Sequence, residues 1–116
     1  MATNRIEEKR SHRRFKFQAP LRYQLRGTSE FNNTVSDDIS EGGVSFVNSG
    51  YLPKSALIML EISLLSRVLN PVGKVAWSCP LPHSNRYKVG IEFLELSQEE
   101  RKYLGDYCNM QLNNAM

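Results

Sequence analysis

The sequence predicts a mainly β fold: a small antiparallel barrel of five or six short strands, with a carboxy-terminal helix packed over one opening and a flexible basic arm at the amino terminus. Three observations carry this expectation. Apolar and polar residues alternate in stretch after stretch, the period of a strand with one buried face. Glycine- and proline-bearing turns separate these stretches at short intervals. After residue 96 the period becomes helical, behind a capping signal. Strands this short leave unpaired edges unless the sheet closes on itself, so a barrel is expected rather than an open sheet.

In chain order, residues 1–15 are rich in charge and show no apolar period, and read as the arm. "PLRYQLRG" then sets Leu21, Tyr23 and Leu25 on one face and Arg22, Gln24 and Arg26 on the other, a half-buried strand begun at Pro20 and closed by Gly27. "NTVSDDIS" places Val35 and Ile39 inward and Ser36, Asp38 and Ser40 outward, before a turn at Gly42-Gly43. Val44 and Phe46 resume the apolar face. "ALIMLEISLL" puts Ile58, Leu60, Ile62 and Leu64 on one side, Glu61 and Ser63 on the other. Residues 68–78 give a further strand, with Gly73 at a bend or bulge and Val75 and Trp77 sharing an inward face, so that Trp77 is expected in the core. "CPLPHSN" is turn-rich. "YKVGIEF" turns Tyr87, Val89, Ile91 and Phe93 inward and leaves Lys88, Gly90 and Glu92 outside.

Ser97-Gln-Glu-Glu100 has the form of a capping box, in which the Ser97 hydroxyl accepts from the amide of residue 100 while Glu100 reaches back. Leu96 is placed to staple the helix entry. Tyr103, Leu104, Tyr107, Cys108 and Leu112 then form one apolar stripe at helical spacing. The chain of 116 residues thus divides into an arm (1–15), a barrel with its helix (16–112) and a short tail (113–116), one domain large enough to bury its own core.

Composition excludes several classes. The two cysteines, Cys79 and Cys108, stand far apart without a Cys-x-x-Cys pattern, and His12 and His83 are isolated. Neither a zinc site nor a disulfide framework is expected. No leader or membrane-spanning run is seen, so a cytoplasmic protein is expected, with no membrane insertion. No nucleophile–base pair, phosphate loop or paired carboxylate suggests an enzyme, and no cofactor is expected. Charge is uneven. Residues 1–26 hold eight Lys or Arg against two Glu, a balance of +6, whereas residues 27–116 hold seven bases and ten acids, a balance of −3. A basic arm on a mildly acidic body points to an anionic ligand, a nucleic acid or a membrane surface, or is simply a solvated tail.

Two constellations carry chemistry. Arg10 and Arg14, in "RSHRR", are four residues apart, with Lys9 and Arg13 beside them. Guanidinium forks suit bidentate phosphate contacts and the O6/N7 edge of guanine, and they stack on purine faces. The spacing alone is weak evidence, since Arg22 and Arg26 share it on an outward strand face. In "DISEGG", Asp38 and Ser40 project from the same side of a strand and Gly43 comes three residues later. A carboxylate accepts from the N1–H and N2–H2 edge of guanine, and a hydroxyl donates or accepts. The competing reading is an ordinary hairpin whose Asp and Ser bond local amides.

Together these segments resemble the PilZ domain family: an arginine pair, a first strand, the D-x-S-x-x-G turn, then "GIEF" with Gly90 and Phe93 before a capped helix. The resemblance covers about residues 9–112, and neither signature motif departs from the family pattern. It implies a six-stranded barrel that binds the bacterial second messenger cyclic di-GMP. It also implies that Arg10 and Arg14 engage phosphates and bases, that Asp38 and Ser40 take the guanine donor edge, and that Gly43 keeps the turn open. Lys9, Arg13 and Gly90 are secondary candidates. Ligand would order the arm and create a surface read by a downstream effector protein. Two alternatives stay open: a nucleotide-independent adaptor with this fold, and a small-barrel nucleic-acid binder, the weaker of the two.

Overall fold

The computed structural model describes residues 15–114. The strands are β1 (Phe15–Lys16), β2 (Pro20–Leu25), β3 (Asn32–Ser40), β4 (Gly43–Asn48), β5 (Leu57–Leu64), β6 (Arg67–Leu69), β7 (Val72–Pro80) and β8 (Tyr87–Glu95). A helix, α1 (Gln98–Asn114), completes the chain order. Every pairing is antiparallel. The sheet runs β3-β2-β5-β7-β8-β4, and β4 returns to β3, closing a six-stranded barrel. β6 and β7 both pair with β5 and are separated at Asn70–Pro71, so the strand expected over 68–78 is one stave broken near its start. β1 lies along β3 beyond the end of β2.

The inward faces fill the barrel. Leu21 and Tyr23, then Ile58, Leu60, Ile62 and Leu64, then Val89, Ile91 and Phe93 are buried as their alternation predicts, with Ile39, Val44, Phe46 and Val75 completing the interior. Each such side chain contributes roughly 1.5–3 kcal/mol by leaving water. Tyr23 stacks on Phe46 with ring centroids 5.4 Å apart, and its hydroxyl escapes the apolar interior by donating to Asn48 Oδ1 at 2.5 Å.

The helix packs across the barrel end where β5 and β8 finish and β7 begins. Leu104, Tyr107 and Cys108 join the core, and Tyr103 packs against it while its hydroxyl donates to the Leu64 carbonyl at 2.8 Å. Half of the capping box forms: Ser97 Oγ accepts from the Glu100 amide at 3.1 Å. The Glu100 carboxylate does not reach back. It accepts from the Asn70 amide at 3.0 Å, satisfying a backbone donor that the β6–β7 break would otherwise leave open. Farther along, Gly105 leaves room for the Glu41 carboxyl group, whose Cδ would lie 3.1 Å from a Cβ placed there.

Two bulges overturn two expectations. The register between β3 and β4 shifts between Ser36 and Asp38, so Asp37 is an extra residue and the alternation changes phase. Val35, expected inward, is 47% exposed, and Ser36, expected outward, is 1% exposed. The buried Ser36 hydroxyl is fully used: it accepts from the Ala19 amide at 2.8 Å and donates to the Phe17 carbonyl. It thereby joins β3 to the stretch between β1 and β2, where the ladder is irregular. A second shift, between Val75 and Trp77, makes Ala76 the extra residue. Val75 stays in the core, while Trp77, expected beside it, turns to the outer face and is 38% exposed.

Replacing Ser36 by Ala leaves the buried Ala19 amide without its acceptor and is expected to cost about 1–3 kcal/mol in urea unfolding. Cys108, a free thiol among the core residues, has its pKa raised by burial, and secondarily by Glu41, to about 11. Its folded pKa lies above the unfolded value, so the associated stability is complete below about pH 9 and is lost as pH rises towards 11. Cys108→Ala is expected to remove that part of the alkaline loss, measured as the difference in melting temperature between parent and variant across this range.

Candidate functional site

Beyond the bulge at Asp37, β3 is regular from Asp38 to Ser40. With Ile39 held in the core, register puts Asp38 and Ser40 on the outer side of β3, where Ser40 is covered and only 2% exposed. Strand register then lines up one row across the barrel wall: Lys16 opposite Asp38, Asp38 opposite Ser45, Ser45 opposite Gly90, and Gly90 opposite Trp77. Directly opposed residues share a face, and adjacent strands are about 4.8 Å apart. The row two residues along β3 runs through Ser40, Gly43, Glu92 and Lys74. Glu92 and Lys74 approach to 3.7 Å. Ser40, Gly43, Ser45 and Gly90 make a patch of small residues on this wall, bounded by Asp38 on one side and the Trp77 indole on the other.

The two glycines of the patch have distinct causes. A Cβ on Gly43 would lie 2.2 Å from the Ile91 carbonyl oxygen, so close passage of β4 beside β8 requires glycine there. This packing reason stands beside the expected role of keeping the turn open. A Cβ on Gly90 would lie 2.2 Å from Cε2 of Trp77, because the indole rests where the Gly90 side chain would be.

The hydroxyls also differ. Ser40 Oγ accepts from the Gly42 amide at 3.1 Å, which fastens the turn and leaves its own proton to donate elsewhere. This is half of the ordinary-hairpin reading. Ser45 is 0% exposed, and its Oγ has no hydrogen-bond partner among the described residues. Such an orphan costs roughly 1–3 kcal/mol. Sequence reasoning passes over Ser45 and assigns Trp77 to the core. Ser45 was legible as the outward residue between Val44 and Phe46, whereas Trp77 was hidden by the bulge.

Positive charge gathers beside Asp38. Lys88 Nζ lies 2.6 Å from the Asp37 carboxylate, and Lys16 Nζ lies 3.4 Å from it. The Lys88 hydrogen bond, aided by Lys16 and opposed by partial burial, holds the Asp37 carboxyl below its ordinary pKa. Arg10 and Arg14, with Lys9 and Arg13, lie outside the described residues. Their point of attachment does not: Phe15, the residue after Arg14, is in register with Ile39, next to Asp38. β1 therefore carries the chain to the flank of the "DISEGG" segment. Among the described residues no group of three His, Cys, Asp or Glu side chains is gathered as a metal site needs, and no helix is long and apolar enough to cross a membrane.

A family model of the PilZ domain matches residues 8–110. The chain belongs to the PilZ domain family. Solved structures share its fold. The Bacillus subtilis inhibitor of motility, MotI/DgrA, superimposes with a TM-score of 0.80 at 22% identity, covering 90% of this chain and 52% of that one. The PilZ domain of Escherichia coli YcgR, solved with c-di-GMP, gives 0.72 at 14% identity, covering 92% of this chain and 94% of that one. The K. pneumonia MrkH–c-di-GMP complex gives 0.72 at 17% identity, covering 91% and 53%. The chain thus spans about half the length of MotI/DgrA and MrkH. A comparison of the sequence with curated proteins found no match.

The Asp37–Lys88 pair gives a direct check on this electrostatic description. A depressed folded pKa contributes stability above the unfolded value near 4, lost as pH falls through the folded value. In Lys88→Met the Asp37 carboxyl is expected to titrate closer to its ordinary value, read by carbon-13 NMR of the side-chain carboxyl. The variant should also lose less stability than the parent on acidification.

Proposed function

We propose that this PilZ chain is a receptor for cyclic di-GMP, bound on the outer wall of the barrel between the "RSHRR" arm and the "DISEGG" turn. One observation carries the reading: the register that sets the start of β1, immediately after Arg14, alongside Asp38. It lets an arm bearing Arg10 and Arg14 fold over a wall that presents Asp38 and Ser40. The shared fold with structures solved with c-di-GMP supports the same ligand.

The chemistry matches the ligand's groups. Cyclic di-GMP offers two guanines and two phosphodiesters. Arg10 and Arg14 supply charge-assisted forks to phosphate oxygens and to the guanine O6/N7 edge. Asp38 accepts from the guanine N1–H and N2–H2, and Ser40, already accepting from the Gly42 amide, donates its remaining proton. Gly43 leaves the wall bare where the base approaches. Lys16, Lys88, Lys9 and Arg13 add positive field.

Charge-assisted bonds contribute about 1.5–3 kcal/mol each. Fixing an arm residue costs about 1–2 kcal/mol in backbone entropy. With half a dozen residues fixed, the balance is an affinity near micromolar, about −8 kcal/mol. The output is the ordered arm, a new surface for a downstream effector protein. The description of MotI/DgrA as an inhibitor of motility is in keeping with such a regulatory role.

Calorimetry with cyclic di-GMP is expected to give micromolar binding to the parent chain, weakened at least about tenfold in Arg14→Ala. GMP, GTP and random oligonucleotides should fail to compete at matched concentration. Absence of binding, or equal binding by oligonucleotides with a steep salt dependence, would replace this reading with the adaptor or nucleic-acid one. Amide exchange across residues 5–16 should slow at saturating ligand, and unchanged exchange would remove the arm-ordering step.

A further inference from the structure

We infer that Trp77 and Ser45 are ligand-contacting residues of the same site: a purine lies on the small-residue patch between Asp38 and Trp77, with its flank against the indole and a polar atom bonded to Ser45 Oγ. The inference rests on the proposed receptor function and extends it to two residues outside both sequence motifs.

The first ground is position. Asp38, Ser45, Gly90 and Trp77 occupy consecutive places in one row across β3, β4, β8 and β7, all on the outer face. The indole leans back over Gly90, which brings its ring to one strand's remove from Ser45 and two from Asp38. At about 4.8 Å per strand, the interval between the carboxylate and the indole suits a flat bicyclic base.

The second ground is an unmet bond. The Ser45 hydroxyl is fully buried and has no partner among the described residues, although it lies between the motif carboxylate and the Trp77 seat. A buried hydroxyl left unpaired is retained against a cost, and a ligand atom that bonds to it removes that cost on binding. The third ground is the aromatic itself. The bulge at Ala76 takes Trp77 out of the core and sets it on the outer wall, where it stays 38% exposed. Gly90 keeps the sheet beneath it flat, since any Cβ there would displace the ring. Aromatic rings displayed on strand faces stack nucleic-acid bases without regard to sequence. A purely structural indole would satisfy the third ground alone, but it would leave the Ser45 hydroxyl unexplained.

Trp77 is the single tryptophan of the chain, so its emission reports this wall directly. Cyclic di-GMP titrated into the parent chain should quench or shift that emission with the same midpoint as calorimetry. Trp77→Ala should weaken binding about tenfold or more, and Trp77→Phe, which keeps a ring, should recover most of the loss. Ser45→Ala should weaken binding severalfold while the urea midpoint holds or rises, because it removes a buried hydroxyl unpaired in the free protein. The inference is overturned if the parent binds with silent tryptophan emission and both alanine variants bind within about twofold of it. Should Trp77→Ala lose its fold by circular dichroism, the parent's emission together with Trp77→Phe and Ser45→Ala decides the matter. If the parent does not bind cyclic di-GMP, the receptor function fails and this inference fails with it. Binding by the parent without any effect of these variants overturns only the inference.

Discussion

Closure of this barrel depends on how β3 divides its pairing. One edge of the strand is occupied by β4 throughout its carboxy-terminal half. The other is taken first by β2 and then by β1. Between these two partners, at residues 17–19, the ladder is irregular: the Phe17 amide donates to the Asp37 carbonyl and the Ser36 amide to the Ala19 carbonyl, and the Ser36 hydroxyl adds a bond to each side. The extra residue at Asp37 makes this possible, because without the phase change Ser36 would face water and Val35 would face the core. From Asp38 onward the strand is regular, and Asp38 and Ser40 keep the side opposite the buried Ile39. Closing the barrel therefore changes the facing of the first half of β3 at one position and leaves the "DISEGG" turn where plain alternation sets it.

Changes of phase such as this one explain which parts of the molecule were legible in the sequence. β2, β5 and β8 were, because uninterrupted alternation such as Ile58, Leu60, Ile62, Leu64 admits only one face for the core. The helix was legible from its stripe and from Ser97. The register shift at Gly73 was legible from its glycine, but the bulges at Asp37 and Ala76 were not. A single inserted residue leaves no compositional trace, and Asp37 and Ala76 are ordinary strand-compatible residues, yet each reverses the facing of its neighbours in the strand. Val35 and Trp77 were misplaced for this reason alone. Glu100 was misplaced for another: a capping box describes an isolated helix, whereas here a broken stave supplied a better donor at the Asn70 amide.

For the candidate site, motif order named the segments, and the place of the "DISEGG" turn on the barrel came from register. Asp38 and Ser40 take the outward side that alternation gave them, and Gly43 sits at the start of β4. Its necessity has a second source, the Ile91 carbonyl beside it, which the sequence could not show because it belongs to a strand nearly fifty residues away. Gly90, noted first as part of a motif, proves to be the seat of an aromatic ring. In each case the glycine is explained by the group that occupies the space its side chain would have filled, and that neighbour is distant in the chain.

The contact between Glu41 and Gly105 gives the barrel's loop and its lid a common boundary. Glu41 stands between Ser40 and Gly43, on the same four-residue corner that presents the hydroxyl. Its carboxyl group rests against bare helix backbone, with no intervening methyl to yield. A side chain at position 105 would have to push Glu41 aside, so the corner and the helix that caps the barrel end keep their fit only while that position stays bare.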